Sequence, residues 1–153
     1  MSRALEGVRV VDLTHGAFAY APYLLAGEGA EIVSVGAARA RDYSRWDALG
    51  PSAGERRRDL ERAEVLSELG RLVRSADVVV ETFPPGHLHD HGLDWRDLES
   101  ECPRLVWASI TPFGESGPRR DWKSANLLAY AFSGVLPAIG DPDRPPVVPG
   151  GPI

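Results

Sequence analysis

"RAEVLSELGRLVRSADVVVETF", residues 62–83, sets a helix directly against a strand. Val65, Leu66, Leu69, Leu72 and Val73 recur at i, i+1, i+4, i+7 and i+8, the apolar face of a 3.6-residue period, so the spacing predicts a helix over 62–76. "DVVVETF" (77–83) has no polar alternation and reads as a strand buried on both faces, as in a parallel sheet. Outward from this pair the same grammar repeats. "VRVVDLT" (8–14), "EIVSVG" (31–36) and "RLVWASITPFG" (104–114) read as further strands. "AYAPYLLAGEGA" (19–30) reads as a short helix capped at the Gly27/Gly29 pair, and "DWRDLESE" (94–101) as another with Asp94 as N-cap. "SANLLAYAFSGVLPAIG" (124–140) reads as a last helix closing on Gly140.

Strands alternating with helices predict an α/β fold of βαβ units, with right-handed crossovers placing helices on both faces of a parallel sheet. Such sheets bind ligands beyond the carboxyl ends of their strands. The segments to watch are therefore "HGAFAYAP", "GAARARD", "FPPGHLHDHG" and "PFGESGPRR". Residues 37–58 mix charge, Gly and Pro and read as a surface excursion. One domain is expected over 1–140, followed by a Pro/Gly-rich tail, 141–153.

Composition narrows the function. A hydrophobic share of 43% and a charged share of 25% are ordinary for a globular protein, and 153 residues suffice for one core. The net charge of -5 argues against a nucleic-acid partner, which calls for a basic face. No stretch approaches the roughly 20 apolar residues of a membrane span. "MSRALEGVRVVDL" has neither the apolar run nor the cleavage site of a signal peptide, and Cys102 has no cysteine to pair with; a cytoplasmic setting is expected.

His87, His89 and His91 crowd five positions and raise the question of a metal. Structural zinc needs four ligands, and the lone cysteine is distant in sequence, so loop histidines without metal are expected. "ETFPPG" ends a buried strand: Phe83 offers a flat apolar surface beside the tight turn of Pro84, Pro85 and Gly86. Read alone, this is either a cradle for an adenine or a pantetheine arm, or a strand-ending turn with a core phenylalanine. "GERRRDLER" could clamp phosphates through Arg56, Arg57, Arg58 and Arg62, or be a solvated helix start. "THGAFAYAP" after the first strand lacks the G-x-G-x-x-G fingerprint, and no P-loop, nucleophile elbow or HExxH motif is present.

The succession "LEGVRVVDLTH", "LAGEGAEIVSV", "RSADVVVETFPPG", "HGLDWRDLESECPRLVWASITPFGESGP" and "AYAFSGVLPAIGDPDRPP" resembles the family III CoA transferases, the carnitine-CoA and formyl-CoA transferase group, whose relatives include the α-methylacyl-CoA racemases. The resemblance covers nearly the whole chain. It implies a Rossmann-like parallel sheet, incomplete relative to the full family fold, with coenzyme A or acyl-CoA as substrate and no metal. It also implies interlocked oligomers, whether of this chain or with another CoA-transferase chain. In the transferases an aspartate attacks the thioester, giving a mixed anhydride and then an aspartyl-CoA thioester. In the racemases an Asp/His pair moves the proton α to the thioester carbonyl.

Carried over position by position, the resemblance places CoA contacts at Thr82, Phe83 and Pro84, at Lys123, at Arg57, and at Ala17 and Phe18. Ala17 and Phe18 replace the family's Gln-Ala-Gly-Pro type of loop; Gly36 and Ala38 stand where Glu and a basic residue are usual, and Asp90 where arginine is frequent. Two lost phosphate-contacting arginines would weaken CoA binding by about 3–6 kcal/mol; Arg39, Arg41 and Arg45 are near enough in sequence to compensate. The family's aspartate would fall about two positions after Ile153, and the racemase histidine near Ala125, so no catalytic residue is expected in this chain and it should be inactive alone. It is then a piece of a longer enzyme or a degenerate, non-catalytic interaction module.

Overall fold

The computed structural model describes residues 3–35, 63–141, 143–145 and 147. The chain divides into two compact units, Met1–Thr111 and Pro112–Ile153. The excursion expected at 37–58 lies outside the described residues.

The first unit carries strand β1 (Arg9–Leu13), a 3-10 turn (Gly16–Ala19), helix α1 (Tyr20–Gly27), β2 (Glu31–Ser34), α2 (Ala63–Arg74), β3 (Val78–Glu81), the single-turn helices α3 (His87–Asp90) and α4 (Trp95–Leu98), and β4 (Val106–Ser109). All strand pairs are parallel, in the order β2-β1-β3-β4, with Val11 opposite Val33 and Val79, and Val79 opposite Trp107. The parallel α/β fold predicted from sequence is the one observed.

Alternation along the strands assigns the two faces. Val11, Leu13 and Val79 pack with Leu69 and Val73 of α2 and with Phe83, Leu88, Leu93 and Leu98 in one buried cluster. Val10, Asp12 and Val80 point to the opposite face and are equally buried. The crossover rule explains this division. Moving from β1 to β2 runs one way across the sheet; moving from β2 to β3 and on to β4 runs the other way. Right-handed connections therefore put α1 on one face and α2, α3 and α4 on the other, and the cluster indeed gathers the last three without α1.

Asp94 caps α4 as predicted: its backbone is extended and its carboxylate accepts from the Arg96 backbone N–H. Gly29, at φ 102°, supplies the left-handed residue after α1. The fourth strand is shorter than 104–114, and Pro112 and Gly114 (φ 83°) lie outside it. In the second unit the helix expected over 124–140 is instead α5 (Asn126–Phe132) and a separate 3-10 turn (Leu136–Ala138). Gly134 at φ 75° ends the first piece, and Pro137, lacking an N–H, sits in the second. Among the described residues no helix is long and apolar enough to cross a membrane.

Candidate functional site

Strand order reverses between β1 and β3, so the crevice expected to take a ligand lies beyond their carboxyl ends. On the β1 side, Asp12 is completely buried. Its Oδ1 accepts from the Thr14 backbone N–H (2.7 Å) and the Thr14 hydroxyl (2.6 Å), and its Oδ2 accepts from the Ser34 hydroxyl of β2 (2.8 Å). A buried carboxylate thus turns the chain sharply out of β1 and ties β2 to it.

On the β3 side, Glu81 is buried and accepts from the Phe83 backbone N–H at 2.6 Å. That turns the chain a second time, one strand over. Thr82 joins the two turns: its hydroxyl accepts from the His15 backbone N–H (3.2 Å) and shares a further hydrogen bond with His15 Nδ1. His15 in turn meets the Phe18 ring edge-on, centroids 6.1 Å apart. His15, the Phe18 ring and the Thr82 hydroxyl are therefore gathered at the switch point, while the Phe83 ring is buried in the core.

Beyond Phe83 the chain turns through Gly86 at φ 82°, a conformation that favours glycine, and the His87 N–H donates to the Pro84 carbonyl at 3.0 Å. The three crowded histidines are not loop residues, as expected from sequence, but lie on and just after α3. The first stacks on Phe83 (centroids 5.0 Å) and lies 4.5 Å from the ring of His91, whose Nδ1 pairs with the His87 carbonyl at 2.7 Å. His89 points elsewhere, to Asp94 Oδ2 at 2.9 Å. Burial of Asp94 opposes its charge, but the Arg96 N–H and guanidinium and the His89 ring outweigh it, and the carboxyl sits below the usual carboxylate value. Among the described residues no group of three or more His, Cys, Asp or Glu side chains is arranged to hold a metal.

In the second unit, Phe113, Trp122 and Phe132 form an edge-to-face triad with centroids 5.4–6.3 Å apart. Arg119 lies over two of its rings, and Lys123 is exposed next to Trp122.

Of the residues singled out from sequence, Phe18 and Thr82 lie at the β1/β3 crevice and Pro84 is exposed after them, whereas the Phe83 ring is buried in the core cluster, the core-phenylalanine alternative for "ETFPPG". Ala17 belongs to the 3-10 turn that enters the crevice. Lys123 lies in the other unit, and Arg57, Gly36, Ala38, Arg39, Arg41 and Arg45 lie outside the described residues. Sequence reasoning missed His15, Asp12 and Glu81. The available signal was an aspartate inside an otherwise apolar strand followed two residues later by threonine, the composition of a side-chain-closed turn.

Residues 5–153 match CoA-transferase family III. The chain is 34% identical over 160 residues to the succinyl-CoA–D-citramalate CoA-transferase of Chloroflexus aurantiacus, covering 94% of this chain and 39% of that protein. It is 36% identical over 169 residues to the formyl-CoA:oxalate CoA-transferase of Streptomyces avermitilis, covering 100% of this chain and 40% of the other. A solved CAIB/BAIF family protein from Brucella suis superimposes with a TM-score of 0.79 at 27% identity, over 99% of this chain and 44% of that one. The chain thus spans about two-fifths of the length of these curated relatives.

Proposed function

Because this chain belongs to CoA-transferase family III, we propose that it is the coenzyme A-binding part of an enzyme that moves CoA between carboxylic acids. The observation that carries this reading is the bond from Thr82 to His15, which brings the segments after β1 and β3 together at the topological switch point. Thr82, Pro84 and the backbone of Phe83, whose ring is buried in the core, then contact the CoA of an acyl-CoA substrate, with Ala17 and Phe18 closing the other wall. Lys123 and Arg57 contribute positive charge to its phosphates. The substrate is acyl-CoA, the setting cytoplasmic, and the chemistry needs no metal.

In the whole reaction an aspartate carboxylate attacks the thioester carbonyl and CoA leaves as thiolate; the thiolate attacks the aspartyl carbonyl of the resulting mixed anhydride and expels the donor acid as its carboxylate, leaving an aspartyl-CoA thioester, from which the acceptor carboxylate takes CoA by the same steps in reverse. Neither buried carboxylate of the crevice suits that role. Asp12 is engaged by Thr14 and Ser34, and Glu81 by the Phe83 N–H. The 153 residues on this reading bind CoA without completing transfer.

A second reading, an interaction module, draws on the exposed Trp122, Leu127, Leu128 and Phe132. These would be covered by another copy of the chain or a second CoA-transferase chain. Calorimetric titration with CoA separates the two. Micromolar binding that weakens about tenfold in Lys123→Ala, the loss of one charge-assisted contact, supports the CoA reading. Absence of heat at millimolar CoA overturns it and leaves the interaction module.

A further inference from the structure

Residues 66–74, "LSELGRLVR", set Leu66, Gly70 and Arg74 one helical turn apart along α2, with Arg71 beside them. Facing them, the chain from His91 to Glu101 forms the other wall of a cavity of about 340 Å³, a volume within the range of small-molecule sites. None of the crevice residues His15, Phe18, Thr82 or Pro84 lines it. Its apolar surface comes from Leu66, Leu93 and Leu98, which belong to the core or pack against it. One ion pair joins the two walls: Arg74 Nε meets Glu101 at 2.9 Å, and Arg74 Nη1 donates to the Gly70 carbonyl at 3.0 Å. Glycine is a poor helix former, but a Cβ on Gly70 would stand only 3.2 Å from that Nη1, so the bare Cα gives the guanidinium room to cross. One turn back along each wall stand Arg71 and Asp97, both lining the cavity and both exposed. Unlike Arg74 and Glu101, neither side chain makes a hydrogen bond or ion pair among the described residues. His91 stands on the Asp97 wall. A carbonyl only accepts, so His91 Nδ1 donates to the His87 carbonyl, and Nε2 is left as the open acceptor of the neutral ring.

We propose that this cavity binds a free α-amino acid with an aliphatic side chain. The carboxylate of such a molecule takes the Arg71 guanidinium, its ammonium donates to Asp97 and to His91 Nε2, and its side chain lies against the leucines. A ligand with a single charge completes one wall and leaves the other unpaired; a zwitterion completes both. The pair of Arg74 and Glu101 is already closed and needs no ligand. The inference goes beyond the CoA reading and does not depend on it.

The test is calorimetric titration of the full chain with L-leucine and with its two truncated forms: 4-methylpentanoate, which lacks the ammonium, and 3-methylbutylamine, which lacks the carboxylate. L-Leucine should bind at one site, and each truncated form should bind about tenfold or more weakly, the loss of one charge-assisted contact. Arg71→Gln should weaken L-leucine and 4-methylpentanoate about tenfold without weakening 3-methylbutylamine. Asp97→Asn should weaken L-leucine and 3-methylbutylamine by a similar factor without weakening 4-methylpentanoate. A purely structural role for either side chain would not sort the ligands by their charge. Glu68→Gln, exposed on α2 and outside the cavity, should bind all three as the unmodified chain does. Binding of L-leucine no tighter than that of both truncated forms, or no saturation by about 10 mM L-leucine, overturns the proposal on the unmodified chain, whether or not a variant folds. Variants that weaken all three ligands alike overturn the assignment of Arg71 and Asp97. Failure of L-leucine to bind leaves the CoA reading standing, and failure of CoA to bind leaves this cavity standing.

Discussion

The strand ends and the segment around Trp122 treat their polar groups in opposite ways. At the ends of β1 and β3, Asp12, Thr14, Glu81 and Thr82 are buried and bonded to one another's turns or to neighbouring backbone. Around Trp122, large apolar rings are half exposed, and Arg119 and Lys123 are left without a carboxylate partner among the described residues. The first region directs its hydrogen bonds inward and sets a shape. The second leaves its charge facing solvent. A shape-setting network should register in stability, and an outward-facing one in binding.

Asp12→Ala tests the first half of that contrast most severely. It removes the acceptor for a buried backbone N–H and two hydroxyls, and unsatisfied buried groups cost about 1–3 kcal/mol each. Urea unfolding should show a loss of about 3–5 kcal/mol, a large share of the margin of an ordinary domain. Asp12→Asn, which keeps one acceptor oxygen, should lose about half of that. A loss below about 1 kcal/mol in Asp12→Ala would mean that the turn out of β1 holds without its carboxylate, and the contrast would fail.

That carboxylate also marks the limit of what could be read beforehand. Buried parallel strands announce themselves as valine runs, so β1 and β3 were legible, as was α2 from its apolar stripe. The Asp94 cap was legible because capping is local: residue type and three positions suffice. The crevice was only half legible. Thr82 and Phe18 could be named as neighbours of the strand ends, but the bond between Thr82 and His15 joins residues 67 apart, and no local pattern encodes it. Three crowded histidines drew the reading toward a metal question, whereas the isolated fourth, His15, sits at the switch point. The division of 124–140 at Gly134 and Pro137 was visible in principle; apolar periodicity outweighed the breakers.

Asp94 sharpens the comparison at a smaller scale, being a nearly buried carboxylate whose partners His89 and Arg96 are exposed. Removing it in Asp94→Ala should cost about 1–2 kcal/mol, combining a lost N-cap with two weak, solvent-screened ion pairs. The pH dependence has a definite sign. The folded-state pKa is depressed below the unfolded one. Its contribution is therefore fully present above the unfolded carboxylate value, about 4, and is lost as pH falls through the lower folded value. The gap in stability between the unmodified chain and Asp94→Ala should be constant above about pH 5 and close progressively below about pH 4. A gap that widened on acidification would reverse the assignment.

Trp122→Ala should show the smallest stability effect and so bears hardest on the second half of the contrast. Deleting a buried aromatic ring costs about 3–5 kcal/mol, but this one is 52% exposed, and its loss should change the unfolding free energy by less than about 1 kcal/mol. Its cation–π contact with Arg119 contributes about 0.5–1 kcal/mol at an exposed site, within that bound. Unfolding in Trp122→Ala would instead make the outward-facing region as structural as the strand ends, and the distinction between them would be gone.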